Sequence, residues 1–217
     1  MIELLTGIGE YGGTIEMGRQ LFSGLFVLSL LLYWFFAFKK KSLMGLKKSF
    51  VVAMLIFYLL SVIRLVFFPI DIWPAAKQRE NFAMMLLNRD YPWTLWEIMS
   101  IDFVPFRTIY YTLPRSNDWV SLYFAARGTF GNLILLFPFA VFIGLFKKEQ
   151  LSYKKALLQG LLISLFIESG QLLINLATQW PNRLVTFDDL MLNSLGFLLG
   201  YATIKKFKKM FPRLTAL

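Results

Sequence analysis

Four polar side chains interrupt one apolar stretch, Ser164, Glu168, Gln171 and Asn175, at spacings of 4, 3 and 4. That spacing puts all of them on one face of an α-helix. Asp189, Asn193, Gly196 and Gly200 repeat it shortly afterwards. A short loop joins the two runs, so they belong on antiparallel neighbours whose polar stripes face each other or a shared cavity. Two carboxylates so placed, Glu168 and Asp189, have the makings of a general acid and base, and they are the only catalytic candidates. Arg64, Arg107 or Arg183 would stabilise an oxyanion or phosphate. Burial favours the protonated carboxyl, which would suit an acid at Glu168. The arginines serve recognition equally well, because a planar fork of donors grips carboxylate or phosphate bidentately. The candidate ligand-binding residues are Arg64, Arg107, Arg127, Asn132, Glu168, Gln171, Arg183, Asp188, Asp189 and Asn193.

Each candidate also has a plainer reading. Asn132 and Asn193 can hydrogen-bond between helices, and Gly196 with Gly200 permits close helix packing. Glu168 can form a buried ion pair with Arg64 or Arg127. Arg183, Asp188 and Asp189 can supply a helix N-cap and a salt bridge. The remaining arginines can pair with equally abundant acids. The chain has no cysteine and no histidine, which removes disulfides, thiolate chemistry, Cys/His zinc sites and catalytic histidine. Ser164 has no evident activating base. No cofactor and no metal site is expected, although Mg²⁺ or Ca²⁺ on Asp188, Asp189 and Glu168 is chemically allowed, since oxygen-only sites leave little signature.

The elements that must position these residues read as membrane spans. Of 217 residues, 57% are hydrophobic and only 17% charged, against about 45–50% and 25% in a soluble domain. Five apolar stretches approach the ~20 residues that cross a bilayer: 20–38, 50–68, 130–146, 156–176 and 189–204. The expected fold class is an all-α membrane bundle of about five helices. Lysines cluster after the first span (Lys39, Lys40, Lys41, Lys47, Lys48), after the third (Lys147, Lys148, Lys154, Lys155) and after the fifth (Lys205, Lys206, Lys208, Lys209). The positive-inside rule turns these segments to the cytoplasm, so the N-terminus is expected outside and the C-terminus inside a multi-pass membrane chain. The lysines then anchor to anionic headgroups. The net charge of +10 is thereby explained without a nucleic-acid partner. Of the nine arginines only Arg213 falls inside, and of the 13 acids only Glu149.

Residues 69–129 form the one long connection, expected as an extracytoplasmic cap folded down on the bundle. The connection carries Trp73, Trp93, Trp96 and Trp119, as an aromatic belt would. Residues 79–100 mix apolar and charged side chains, as an interfacial helix does. Glu168 lies about eight residues below the outer end of its helix, or ~12 Å. Pro138 should kink the third span. An outward-opening cavity lined by Glu168, Gln171, Asn193, Asn132 and Arg64 gathers these residues economically.

Four ordered blocks then resemble a known family. They are D-F-V-P-F-R-T-I at 102–109, G-N-L-I-L-L-F-P-F-A at 131–140, S-L-F-I-E-S-G-Q-L-L at 164–173 and R-L-V-T-F-D-D-L-M-L-N-S-L-G-F-L-L-G at 183–200. This is similar to the VanZ-like family of bacterial membrane proteins, over about residues 50–205. Asp102 stands where the family usually has Asn, and Thr186 where an Asp commonly falls. The resemblance divides the chain into an outer tail, extra helix and cytoplasmic loop (1–49), a VanZ-like membrane domain (50–205) and a basic cytoplasmic tail (206–217). It implies a cell-envelope role connected with resistance to teicoplanin-type glycopeptides, and no chemical activity follows from the motifs.

Three functions stay open at this point. The first is a non-enzymatic binder of an anionic lipid, a lipid-linked cell-wall precursor or the glycopeptide itself, with membrane lipids as partners. The second is an intramembrane enzyme acting on such a precursor through Glu168 and Asp189. The third is a lipid transporter or flippase, for which neither inverted repeats nor broken helices are visible.

Overall fold

A computed structural model describes residues 13–39, 46–72, 98–106, 119–147 and 151–212. Within them the chain is helical apart from two short ribbons. In order the elements are β1 (Gly13–Ile15), α1 (Arg19–Lys39), α2 (Leu46–Phe67), β2 (Ile70–Ile72), β3 (Ile101–Asp102), α3 (Trp119–Leu135), α4 (Phe137–Phe146), α5 (Tyr153–Thr178), β4 (Val185–Thr186) and α6 (Phe187–Met210).

Four helical stretches are long and apolar enough to cross a membrane, at 19–39, 47–67, 126–146 and 153–178. The third combines α3 and α4. Pro138 lacks the N–H that would bond four residues back, and the helix breaks at Leu136 as that predicts. Tyr58 of α2 donates its hydroxyl to the Leu135 carbonyl at the break.

The last helix, α6, is the hub. It packs against α3, α4 and α5, and Asn193, Ser194, Gly196, Phe197, Gly200, Tyr201 and Ile204 are buried along it. Its partners cover its polar groups, which explains how a helix with two acids in its first turn sits inside the bundle. Gly196 and Gly200 make the approach possible. A Cβ at Gly196 would collide with the Leu133 carbonyl, and one at Gly200 with the Phe137 carbonyl. The close-packing reading of this pair therefore holds. Lys208 donates its ammonium to the Gly144 carbonyl at 2.7 Å, and Lys205 to the Leu151 carbonyl at 3.3 Å. Lys208 thereby satisfies a carbonyl in the last turn of α4 and complements its dipole, whereas Lys205 ties the loop that precedes α5. By helix alternation the described lysines collect at one end of the bundle and the polar cluster at the other.

By contrast, α1 has no buried residue and packs on α2, where Phe22 and Phe26 meet the Phe57 ring edge-on. The antiparallel β1–β2 ribbon pairs Thr14 with Asp71. The parallel β3–β4 pair sets Asp102 beside Thr186.

The last residues assigned to the cap, 119–129, are helical. They continue α3 without interruption, because nothing between Trp119 and Gly128 breaks a helix. The expected interfacial helix at 79–100 and most of the cap lie outside the described residues, as does Arg107.

Candidate functional site

The polar end of the bundle is assembled from backbone ties made by buried side-chain amides. Asn175, fully buried near the end of α5, donates to the Arg183 carbonyl at 2.7 Å and the Met99 carbonyl at 3.3 Å. Its oxygen accepts from the Arg183 N–H at 3.0 Å. One side chain thus fixes the strand leading to β3 and the loop leading to α6. Asn182 treats Asp71 likewise: its oxygen accepts the Asp71 N–H at 2.6 Å and its amide donates to the Asp71 carbonyl at 3.1 Å. Thr14 completes the junction by donating its hydroxyl to the Asp71 carboxylate at 2.7 Å.

Thr186 caps α6, its hydroxyl accepting from the Asp189 N–H at 2.9 Å. Asp188 and Asp189 lie one and two residues inside the helix start, where their charge suits the dipole, but their side chains turn elsewhere. The Asp188 carboxylate accepts from the Phe106 N–H at 2.5 Å. The Asp189 carboxylate accepts from the Asn132 amide of α3. The N-cap belongs to Thr186, because a carboxylate past the cap position is free to reach other elements. The guanidinium of Arg183 donates to the Phe68 carbonyl at 2.5 Å. The carboxylate of Asp102 accepts from the Val104 N–H at 3.0 Å and closes a turn in the D-F-V-P-F block.

These ties leave a cavity of about 370 Å³ lined by Arg127, Asn132, Glu168, Gln171, Arg183, Asp189 and Asn193, with Leu65, Val66, Leu135 and Ile167 as apolar wall and Gly128 and Gly131 alongside. Seven of the ten candidate residues therefore meet at one place. Arg127, Gly128 and Gly131 are exposed at its mouth, whereas Glu168 and Asn193 keep 6% and 1% of their surface.

Hydrogen bonding around the cavity is incomplete. Gln171 donates to the Val66 carbonyl at 3.2 Å, and Asn193 donates to the Ser164 hydroxyl oxygen at 3.1 Å. Yet Gln171 Oε1, Asn193 Oδ1, Glu168 Oε2 and Arg183 Nε are buried and without a hydrogen-bond partner. Only one other described side-chain atom, on Gln159, shares that condition. Buried polar groups are normally satisfied, and four of the five described exceptions gather around this one cavity. Among the described residues, no ion pair joins Glu168 to Arg64 or Arg127. No group of three or more acids that would hold a metal is found among them either.

Arg64 is placed elsewhere. It lines a separate cavity of about 480 Å³ with Glu16, Met17, Phe22, Phe57 and Ser61, and its guanidinium stands 5.9 Å over the Phe22 ring. The reason is helical geometry. Val66, two residues along α2, is buried, and residues two apart point about 200° apart on a helix. Asp188 is spent on Phe106 and does not line the main cavity. Asn182 went unnoticed in the sequence, where a loop asparagine carries no distinguishing signal. Asn175 was visible on the polar stripe, but not its clamp on Arg183.

A bundle of apolar helices, four of them long and apolar enough to cross a membrane, around a polar cavity near one end defines a polytopic helical membrane protein. The VanZ/LLP1 family model matches residues 55–209, and the chain belongs to that family. No curated protein and no solved structure matches it. The matched stretch holds every candidate site residue, whereas α1 and β1 precede it.

Proposed function

We propose that this VanZ-like envelope protein binds an anionic lipid-linked cell-wall precursor, or a teicoplanin-type glycopeptide, in a polar cavity opening to the cell exterior. The observation that carries the reading is the set of four unpartnered buried polar atoms around one cavity that also holds two arginines. Arg127 at the mouth offers a fork to phosphate or carboxylate. The apolar wall formed by Leu65, Val66, Leu135 and Ile167 suits a lipid or aryl portion. The lysine-rich end faces the cytoplasm under the positive-inside rule, which turns this cavity outward. Binding there shields the precursor or intercepts the antibiotic, and reduced susceptibility to teicoplanin follows.

The test is direct binding of a purified lipid-linked precursor and of teicoplanin to the wild type, Glu168→Gln and Arg127→Ala in detergent. The expected result is saturable binding, weakened in both variants. Equal affinities across all three proteins would overturn the reading.

One observation favours a second reading: Glu168 and Asp189 line the same cavity, as an acid–base pair requires. Incubating the precursor with and without the protein, and resolving the products by mass, distinguishes a catalyst from a binder.

A further inference from the structure

The unsatisfied atoms around the cavity are chemically lopsided. Two are amide oxygens that only accept, Gln171 Oε1 and Asn193 Oδ1, one is a donor, Arg183 Nε, and Glu168 Oε2 accepts as a carboxylate or donates as a carboxyl. The orientation of Gln171 is dictated by its neighbour, because its NH₂ must turn to the Val66 carbonyl, which only accepts. Asn193 turns its NH₂ to the Ser164 hydroxyl oxygen at 3.1 Å. In this arrangement both amide oxygens are without a partner. A bare phosphate or carboxylate, with no proton to give, would set lone pairs against lone pairs in the depth of this cavity. An ammonium would satisfy the acceptors but offer nothing to Arg183 Nε and bring a second cation beside it. A hydroxyl donates and accepts, and a group carrying several meets all four atoms. The exposed guanidinium of Arg127 at the mouth supplies the complement for an anion that stays nearer the surface.

We propose that the cavity selects a hydroxyl-rich headgroup, a sugar or comparable polyol esterified to the phosphate of a membrane lipid. Hydroxyls donate to Gln171 and Asn193 and pair with either form of the Glu168 carboxyl, one hydroxyl oxygen accepts from Arg183, and the phosphate rests at Arg127. This deepens the binding reading above and rests on it, because it names the chemistry that distinguishes the favoured ligand from any other anionic lipid.

The test uses two probes with equal acyl chains and one phosphodiester charge each, phosphatidylinositol and phosphatidylmethanol. The first carries a polyol and the second no headgroup donor. Affinities are measured by competition on the full-length protein in nanodiscs of zwitterionic lipid, for the wild type, Gln171→Leu, Asn193→Ala and Arg127→Ala. The expected result is at least about tenfold tighter binding of phosphatidylinositol, the scale of one well-formed buried hydrogen bond. That preference should shrink to about threefold or less in Gln171→Leu or Asn193→Ala, and Arg127→Ala should weaken both lipids alike. Gln171 is only half-buried, so its variant remains informative if Asn193→Ala does not fold. Equal affinity for the two lipids, with both weakened in Arg127→Ala, would overturn the headgroup inference and leave the binding reading standing. A preference that survives in both amide variants would also overturn it. Failure of both lipids to saturate the wild type would remove both.

Discussion

Asn132 of α3 donates its side-chain amide to the carboxylate of Asp189 at the start of α6. Both residues line the main cavity, and the contact joins the third span to the hub helix where Thr186 caps it. Removing the amide should leave a half-buried carboxylate without its donor, a loss of about 1 kcal/mol. Asn132→Ala is therefore expected to lower the thermal melting midpoint in detergent and weaken ligand binding together. Asp189→Asn, which keeps an oxygen able to accept the bond, should cost less stability. An unchanged midpoint in Asn132→Ala would show that the bond contributes nothing.

The hub helix also depends on two missing methyl groups. A Cβ at Gly196 or Gly200 would run into a backbone carbonyl of α3 or α4, and backbone cannot swing aside as a side chain does. Overpacking of this kind typically costs about 1–3 kcal/mol. Gly196→Ala and Gly200→Ala are each expected to reduce the folded fraction recovered by size-exclusion chromatography. Gly24→Ala on α1, where a Cβ would meet nothing within 4 Å, should behave as wild type in the same assay.

Asn175 holds Arg183 at both its N–H and its carbonyl. Asn175→Leu keeps the volume and deletes the clamp, leaving buried backbone groups unmet at about 1–3 kcal/mol each. Loss of binding together with a lowered melting midpoint is the expected outcome. Wild-type binding in this variant would show that the Arg183 loop is positioned by other means.

Thr186 caps α6 through its hydroxyl. Thr186→Ala should destabilise by about 1 kcal/mol, and Thr186→Ser should restore most of it. The comparison is read from denaturation midpoints in matched micelles. Equal values for the three proteins would remove the cap from the account.

Orientation can be tested directly because the chain has no cysteine. Single substitutions Glu16→Cys and Arg127→Cys should label with a membrane-impermeant maleimide on intact cells. Lys154→Cys and Lys206→Cys, both exposed, should label only after permeabilisation. The reverse pattern would turn the main cavity to the cytoplasm.

The stripe of Ser164, Glu168, Gln171 and Asn175 was legible because helical periodicity alone puts these residues on one face, and the matching run in α6 implied a partner. Local chemistry also revealed the break before Pro138 and the glycine contact. Other features required tertiary knowledge. The direction in which Arg64 points depends on how α2 is rotated about its axis, which is settled by the burial of Val66 and not by Arg64 itself. The short ribbons β1–β2 and β3–β4 join residues far apart in the chain, and strands of two or three residues have no periodicity to read. The tie between Asn182 and Asp71 spans 111 positions, with no sign of it at either end.

The first long helix lends nothing to the interior and precedes the stretch that defines the family. It touches the rest of the molecule through the aromatic edge on α2 and the ribbon at Asp71. Its packing is on α2, so a substitution on its outward face changes the surface offered to the bilayer without touching the glycine contacts that seat the hub helix.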